Sequence, residues 1–294
     1  MAGEKSPLEN REQPRDLTRE AVILLLVVSP YVFVSLRWMS RVGLAWDEAL
    51  YIPYAECFRQ WFAGLPESFN WEALYNSLGR FQSHPPLAKY VFTLAIALFG
   101  DSMGALYACR LASVATTSAL LAAVYLFTLK VRGRFEAVLA VVFLMLMPRF
   151  SANGFLAVLD MPTALWWFAA AALFYLSMEE RRLCRLAGLV AAIAFSTKIN
   201  GLMLPAVLWT WGLFFHGKKA LRPIVWSAIL TPLVFLALWP FFWHEPLVAL
   251  GKYFGEKFGF ILAVYGWFGI DLATHGDAVH RLSLIHISEP TRPY

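Results

Sequence analysis

The sequence predicts an all-α, polytopic integral membrane protein. It is expected to carry about seven transmembrane helices, plus interfacial helices in a large first extracytoplasmic loop. Three observations predict this. Apolar residues make up 59% of the 294 and charged residues 15%, whereas a soluble domain averages about 45–50% and about 25%. Apolar runs long enough to cross a bilayer recur along the chain, since a hydrocarbon core of about 30 Å takes about 20 helical residues. Lys/Arg clusters fall between these runs in an order that puts every cluster on one side, as cytoplasmic loops require. Mean hydropathy is +0.57, which excludes soluble globular and disordered chains. The formal charge of +5 belongs to the cytoplasmic loops, so no nucleic-acid partner is expected. Cys57, Cys109 and Cys184 lie far apart, which gives neither a disulfide framework nor a zinc knuckle.

Residues 1–20 are polar, with Lys5, Arg11, Arg15 and Arg19, and read as a cytoplasmic arm. The run 21–39 is the first span. It lacks a small-residue cleavage site, so it reads as an uncleaved span. Residues 40–86 form the large loop. Its Trp46, Tyr51, Tyr54, Phe58, Trp61 and Phe62 are amphipathic rings of the kind that settle at membrane interfaces. The segment 87–99 is short and carries Lys89, so it is expected to be interfacial. The run 105–129 then crosses inward to Lys130, Arg132 and Arg134. Residues 135–147 return outward, and 161–178 lead in to Arg181, Arg182 and Arg185. The pair 186–197 and 201–215 ends at Lys218, Lys219 and Arg222, and 223–243 goes out again. A spanning 87–99 would reverse every later cluster. The expected divisions are an arm at 1–20, one membrane domain at 21–245, an extracytoplasmic segment at 246–281, and a foreign tail at 282–294. Residues 282–292, LSLIHISEPTR, equal the translation of a transposon-end sequencing adapter, so they are set aside like any scar.

This layout leaves ionisable residues from several segments at the outer face. Asp47, Glu48, His84, Lys89, Arg110, Arg149, Asp160, Lys198, His244 and Glu245 collect there. Charges at membrane depth face a cavity or a partner, so an outward-facing cavity at the lipid boundary is expected. Adjacent carboxylates such as Asp47-Glu48 can divide labour between a base and a group that binds a hydroxyl or cation. Taken alone, each reads as an ordinary solvated loop residue; the set together points to the cavity. Pro85-Pro86 fixes the backbone after His84, which can aim His84 and Lys89 or merely start a helix. Asp160 before Met161-Pro162 has a structural explanation as a helix-start residue. Lys198, after Ser196-Thr197, can snorkel to headgroups or bind a phosphate as a compact charge.

These blocks resemble a known family. Trp46-Asp47-Glu48 after the first span, HPPLAK at 84–89, ALFGDS at 97–102 and Cys109-Arg110 are similar to motifs of the protein O-mannosyltransferases. FLAVLDMP at 155–162 and STKINGLMLP at 196–205 resemble blocks shared with bacterial aminoarabinose transferases of lipid A. The resemblance covers about residues 21–245 and points to the phospholipid-carrier-dependent branch of the GT-C membrane glycosyltransferases. It implies transfer of a sugar, with mannose as one candidate, from a polyprenyl-phosphate carrier. The acceptor would be a hydroxyl of a protein or glycolipid outside the cytoplasm. The lipid-A branch usually has an acidic–basic pair before its two prolines, whereas Ser83-His84 stands here, which favours the mannosyltransferase pattern. The resemblance makes Asp47 the base and Glu48 its support or a substrate contact.

A sugar phosphate is already a good leaving group, so the chemistry needs a base and cations. The expected mechanism is one inverting displacement with Asp47 as base. Lys89, Arg110 and Lys198 are candidates for the lipid phosphate, and Arg110 is preferred because guanidinium grips phosphate as a fork. His84 and Asp160 complete the expected substrate-binding set. His84 and Glu48 can hold a divalent cation, but two ligands do not define a metal site. No cofactor is otherwise expected. The expected location is a bacterial inner membrane, with the N-terminus cytoplasmic and the site periplasmic. The competing class is a transporter with an outward-facing polar cavity, for which the hairpin broken around Lys198 to Gly201 speaks. A non-catalytic scaffold is the third reading, and it leaves Asp47-Glu48 beside the cations without a reason.

Overall fold

The computed structural model describes residues 16–64, 84–243, 246–251 and 253–255. Its regular elements among these residues are all helices. Three runs are long and apolar enough to cross a membrane, namely Leu17–Trp38, Ala105–Val131 and the composite Ile199–Leu238. The expected segment 246–281 lies mostly, and the string 282–294 wholly, outside the described residues. So do His244 and Glu245.

The chain divides into two units at Pro240 and Phe241. In the first, α1 (Leu17–Trp38) starts where the Asp16 carboxylate accepts from the N–H groups of Thr18 (3.0 Å) and Arg19 (3.2 Å). That cap satisfies two of the donors a helix start leaves open. Helix α2 (Trp46–Gly64) carries Glu48, Tyr51, Ala55 and Phe58 on one buried stripe, the spacing of an amphipathic helix. The stripe packs on α3 (Leu87–Met103), against Ala88, Phe92, Ala95 and Ile96. Thr93 Oγ1 donates to the Ala55 carbonyl at 3.0 Å and binds the two helices together. Gly104 separates α3 from α4 (Ala105–Val131) with φ of 82°, a conformation only glycine adopts at little cost.

Helix α5 (Arg134–Leu146) has 13 residues and stops at Met147-Pro148, because proline cannot continue an established helix. A short turn of helix, α6 (Pro148–Asn153), follows. Then come α7 (Asp160–Ser177), α8 (Cys184–Phe195), α9 (Met203–His216) and α10 (Leu221–Leu238). Gly188 of α8 lies so close to α10 that a Cβ there would sit 2.7 Å from the Trp226 backbone. Beside it, the buried Ser227 hydroxyl donates to Ile224 O (2.9 Å) and accepts from Trp209 Nε1 (2.8 Å). In the second unit, the Phe242 and Tyr253 rings meet edge to face at 6.1 Å.

The ends of the first unit differ in chemistry. At one end Lys130 and Arg182 pair with Glu180, and Lys219 pairs with Glu179. Three basic clusters, separate in sequence, are thus gathered around one turn. At this end too, buried Glu20 of α1 accepts from Tyr125 (2.7 Å) and pairs with Arg134. Asp47, Glu48, Arg110, Asp160 and Lys198 gather at the other end. Arg110 and Lys130 stand twenty residues apart on α4, about 30 Å at 1.5 Å per residue, which is the thickness of a hydrocarbon core.

Candidate active site

The site begins with a buried ion pair. Arg110 and Glu48 are both wholly buried. Arg110 Nε donates to Glu48 Oε1 (2.7 Å) and Nη2 to Oε2 (2.6 Å), the two-pronged geometry that makes such pairs strong. The rest of the guanidinium holds the turn after α1. Nη1 donates to the carbonyls of Met39 and Val42 (the second at 2.8 Å), and Nη2 to that of Gly43 (2.7 Å). All five N–H groups of the fork are therefore engaged. Glu48 is equally full. Its Oε1 also accepts from the Ala157 N–H and its Oε2 from the Ala45 N–H, both at 2.9 Å. Burial alone would raise the Glu48 carboxyl, but the Arg110 guanidinium and these two N–H groups outweigh it and hold it below the usual range.

The preference for Arg110 as phosphate ligand therefore differs from the arrangement found, because no N–H of Arg110 is left to donate. The reason is distance in sequence. The carbonyls it binds lie 67 to 71 residues upstream, so its neighbours on α4 gave no sign of them. A cation held by Glu48 and His84 does not fit either, since four N–H donors occupy the Glu48 oxygens. Among the described residues, no group of three or more His, Cys, Asp or Glu is placed to hold a metal.

Asp47, one residue earlier, is only half-buried. Nothing among the described residues donates to its carboxylate. It stands in the first turn of α2, and Tyr51 follows one turn later on the same helix. Burial first, then the charges of Asp47 and Asp160, push the Tyr51 hydroxyl up to about 12. Tyr51 thus lies within the field of both carboxylates, which start different helices. Its ring is 6.3 Å from the His84 imidazole and 6.4 Å from the Tyr54 ring. From sequence Tyr51 reads only as an interfacial aromatic. Its place four residues after Asp47, on one helical face, was the signal available.

Two cations complete the arrangement. Lys89 is buried, donates to the His84 carbonyl (2.8 Å), and has its ammonium 5.2 Å from the centre of the Tyr54 ring. Lys198 donates to Asp160 Oδ1 at 2.7 Å, with both side chains partly exposed. The Leu87 N–H donates to the Ser196 carbonyl at 3.3 Å and lays the start of α3 beside Ser196-Thr197-Lys198. Asp160 differs from the expected cap. It lies inside the first turn of α7, makes no capping hydrogen bond, and gives its carboxylate to Lys198. A charge there still favours the helix dipole. The structure thus brings Asp47, His84, Lys89, Asp160 and Lys198 around Tyr51 and Tyr54. It sets Glu48 and Arg110 beneath them as support.

A family model described as dolichyl-phosphate-mannose-protein mannosyltransferase matches residues 83–243, more than half of the chain. The match includes His84, Lys89, Arg110, Asp160 and Lys198 and begins downstream of Asp47 and Glu48. Neither a curated protein nor a solved structure gives a significant match.

Proposed function

The chain belongs to the dolichyl-phosphate-mannose-protein mannosyltransferase family, and from that premise we propose that Asp47 is the base of a single inverting sugar transfer. Membership makes it a membrane glycosyltransferase using a polyprenyl-phosphate-linked sugar. In the proposed reaction the acceptor hydroxyl gives its proton to Asp47 and attacks the anomeric carbon. The carrier phosphate leaves from the opposite face. No strong general acid is needed, because the leaving group is a phosphate.

One observation carries the assignment. Of the two adjacent carboxylates, Glu48 is saturated by four N–H donors, and Asp47 has none among the described residues. A base must have lone pairs within reach of the proton it takes, and only Asp47 offers them. Glu48 and Arg110 position it by fixing the turn between α1 and α2. Lys198 is the cation for the departing phosphate, and Asp160 holds it until the donor arrives. Lys89 keeps His84 and Tyr54 in place and adds positive charge. Tyr51, neutral at working pH, donates to a sugar hydroxyl. The basic clusters at the far end of the bundle support a site on the non-cytoplasmic side. They also support about seven crossings, with α2 and α3 interfacial.

Mannose is the sugar the family description favours. A protein or glycolipid acceptor and a bacterial inner membrane complete the proposal. The test compares wild type and Asp47→Asn at equal membrane levels, following sugar loss from labelled polyprenyl-phosphate sugars. Loss of a general base costs about 10²- to 10⁴-fold, so transfer falls into that range. Transfer that survives the substitution removes Asp47 from the chemistry. Solute flux with no carrier turnover would favour the transporter reading.

A further inference from the structure

The turn that Arg110 holds has an outer surface for which sugar transfer gives no reason. We propose that this turn, residues 39–46, is a membrane anchor. Its apolar tip enters the boundary between headgroups and acyl chains, and Arg37 and Arg41 at its base bind anionic phospholipid headgroups. The backbone allows this. Peptide groups resist entry into lipid unless they are satisfied from within. Arg110 draws the carbonyls of Met39, Val42 and Gly43 inward, and Glu48 takes the Ala45 N–H. Apolar side chains are left outside. Val42, Leu44 and Trp46 are 38%, 59% and 88% exposed, and the Trp46 indole has no ring or hydrogen-bond partner among the described residues.

A lipid surface fits this face better than water does. Helix α1 is long and apolar enough to cross a membrane, and its Leu25, Leu26 and Phe33 are exposed, so that flank faces hydrocarbon. The flank runs on through Leu36 and Trp38 to Val42 and Leu44, and no acidic residue occurs from Ala21 to Trp46. Charge specifies the lipid. Arg37 and Arg41 are exposed, and among the described residues no carboxylate pairs with either. Basic side chains belong on the cytoplasmic side, yet these two stand at the end remote from the basic clusters. Phospholipid phosphate is the anion found at that level. The Arg41 guanidinium lies 5.5 Å from the centre of the Trp38 ring, which keeps its stem on apolar surface and its charge at the headgroups. An apolar tip above a cationic base is the make-up of a segment that lies in the interface. Asp47 follows Trp46 directly, so the anchor sets the height of Asp47 at the level where a carrier phosphate rides. That last link rests on the reading of the site given above; the anchoring does not.

The test uses the full-length protein in nanodiscs containing phosphatidylglycerol, in a Cys57→Ser background that leaves the buried Cys109 and Cys184. A nitroxide attached through Leu44→Cys reports depth by its relaxation with oxygen, which concentrates in hydrocarbon, against a nickel chelate, which stays in water. A nitroxide attached through Lys219→Cys is the aqueous reference. The Leu44 label is expected to favour oxygen. Replacing each of Arg37 and Arg41 by Ala should lower the ratio of anchored to free turn about fivefold, the worth of one basic residue at an anionic surface. Exchanging phosphatidylglycerol for phosphatidylcholine should act in the same direction. Leu44→Asp is expected to lower kcat/KM for a long-chain donor in the bilayer about tenfold, as a carboxylate in the lipid boundary requires. A Leu44 label with the aqueous signature of the Lys219 label, or a depth indifferent to phosphatidylglycerol, would overturn the anchor. So would arginine variants that raise KM for the donor without moving the label, since the pair would then hold the donor's own phosphate. An embedded label in a protein that transfers no sugar would sink the enzyme reading and leave the anchor standing. Sugar transfer with an aqueous label would do the reverse.

Discussion

Glu48→Gln is the most informative substitution. Glutamine keeps the shape of the side chain but loses its charge and gains an amide NH₂. Whichever way that amide turns, it meets two donors. In one orientation they are Arg110 Nε and the Ala157 N–H, in the other Arg110 Nη2 and the Ala45 N–H. Removing one member of a buried pair costs about 3–5 kcal/mol, because the remaining charge is stranded. At about 1.4 kcal/mol per tenfold, the clamped turn loses a factor of at least about one hundred in population. Transfer is expected to fall by about that factor while the protein still inserts. The assay is kcat/KM for a polyprenyl-phosphate sugar, with thermal unfolding followed on the same preparations. Replacing both partners with apolar residues, as Glu48→Leu with Arg110→Met, should cost less than the two single losses summed. If Glu48→Gln retains transfer within about threefold of wild type, the pair does not position Asp47 and the reasoning is wrong.

Other expectations can be checked alongside. The Glu48 carboxyl is held below its ordinary value. Its stabilisation is present above the unfolded value of about 4.3 and is lost as pH falls through the lower folded value. Acid unfolding should therefore be steep in wild type and flatter in Glu48→Gln, and identical acid curves would contradict the clamp. Lys198→Ala should raise KM for the donor about tenfold or more, as loss of a charge-assisted contact to phosphate requires, with partial recovery in Lys198→Arg. An unchanged KM would remove the phosphate role. Tyr51, pushed up to about 12, should contribute no limb to the pH–rate profile between about pH 8 and 11. A limb there that vanishes in Tyr51→Phe would refute its assignment as a neutral donor. Gly188→Ala puts a methyl 2.7 Å from the Trp226 backbone. Overpacking of that kind costs about 1–3 kcal/mol, read as a lower thermal midpoint.

Helices were legible wherever hydropathy ran long, because backbone groups in a bilayer must be satisfied within the segment. The runs 21–39 and 105–129 correspond to α1 and α4 within a few residues. The gathering of basic clusters at one end also agrees with the charge pattern. The site was legible as a set of residues and not as roles. Asp47 and Glu48 are neighbours of the same type, yet one faces outward and the other is sealed. The difference comes from Arg110 and Ala157, which stand 62 and 109 residues from Glu48. Local pattern carries no trace of such partners. For the same reason Asp160 read as a cap, when its actual partner Lys198 is 38 residues away. Tyr51 reads only as an interfacial aromatic, because a loop rich in aromatics gives a sufficient interfacial reason for each of them.

The partners of Glu48 also set an order of events during synthesis. The chain is made at about 5–20 residues per second. Arg110 therefore follows Glu48 by about 3–12 s, and the Ala157 amide follows it by about 5–22 s. Until then the turn after the first span has a carboxylate and three carbonyls with no cation to gather them. Asp47 can reach its final position only after α4 has entered the membrane and the segment beyond α6 has emerged. The end of the bundle that holds Asp47 is thus the part that matures late, and a nascent chain halted before Arg110 would carry the proposed base without the pair that fixes its turn.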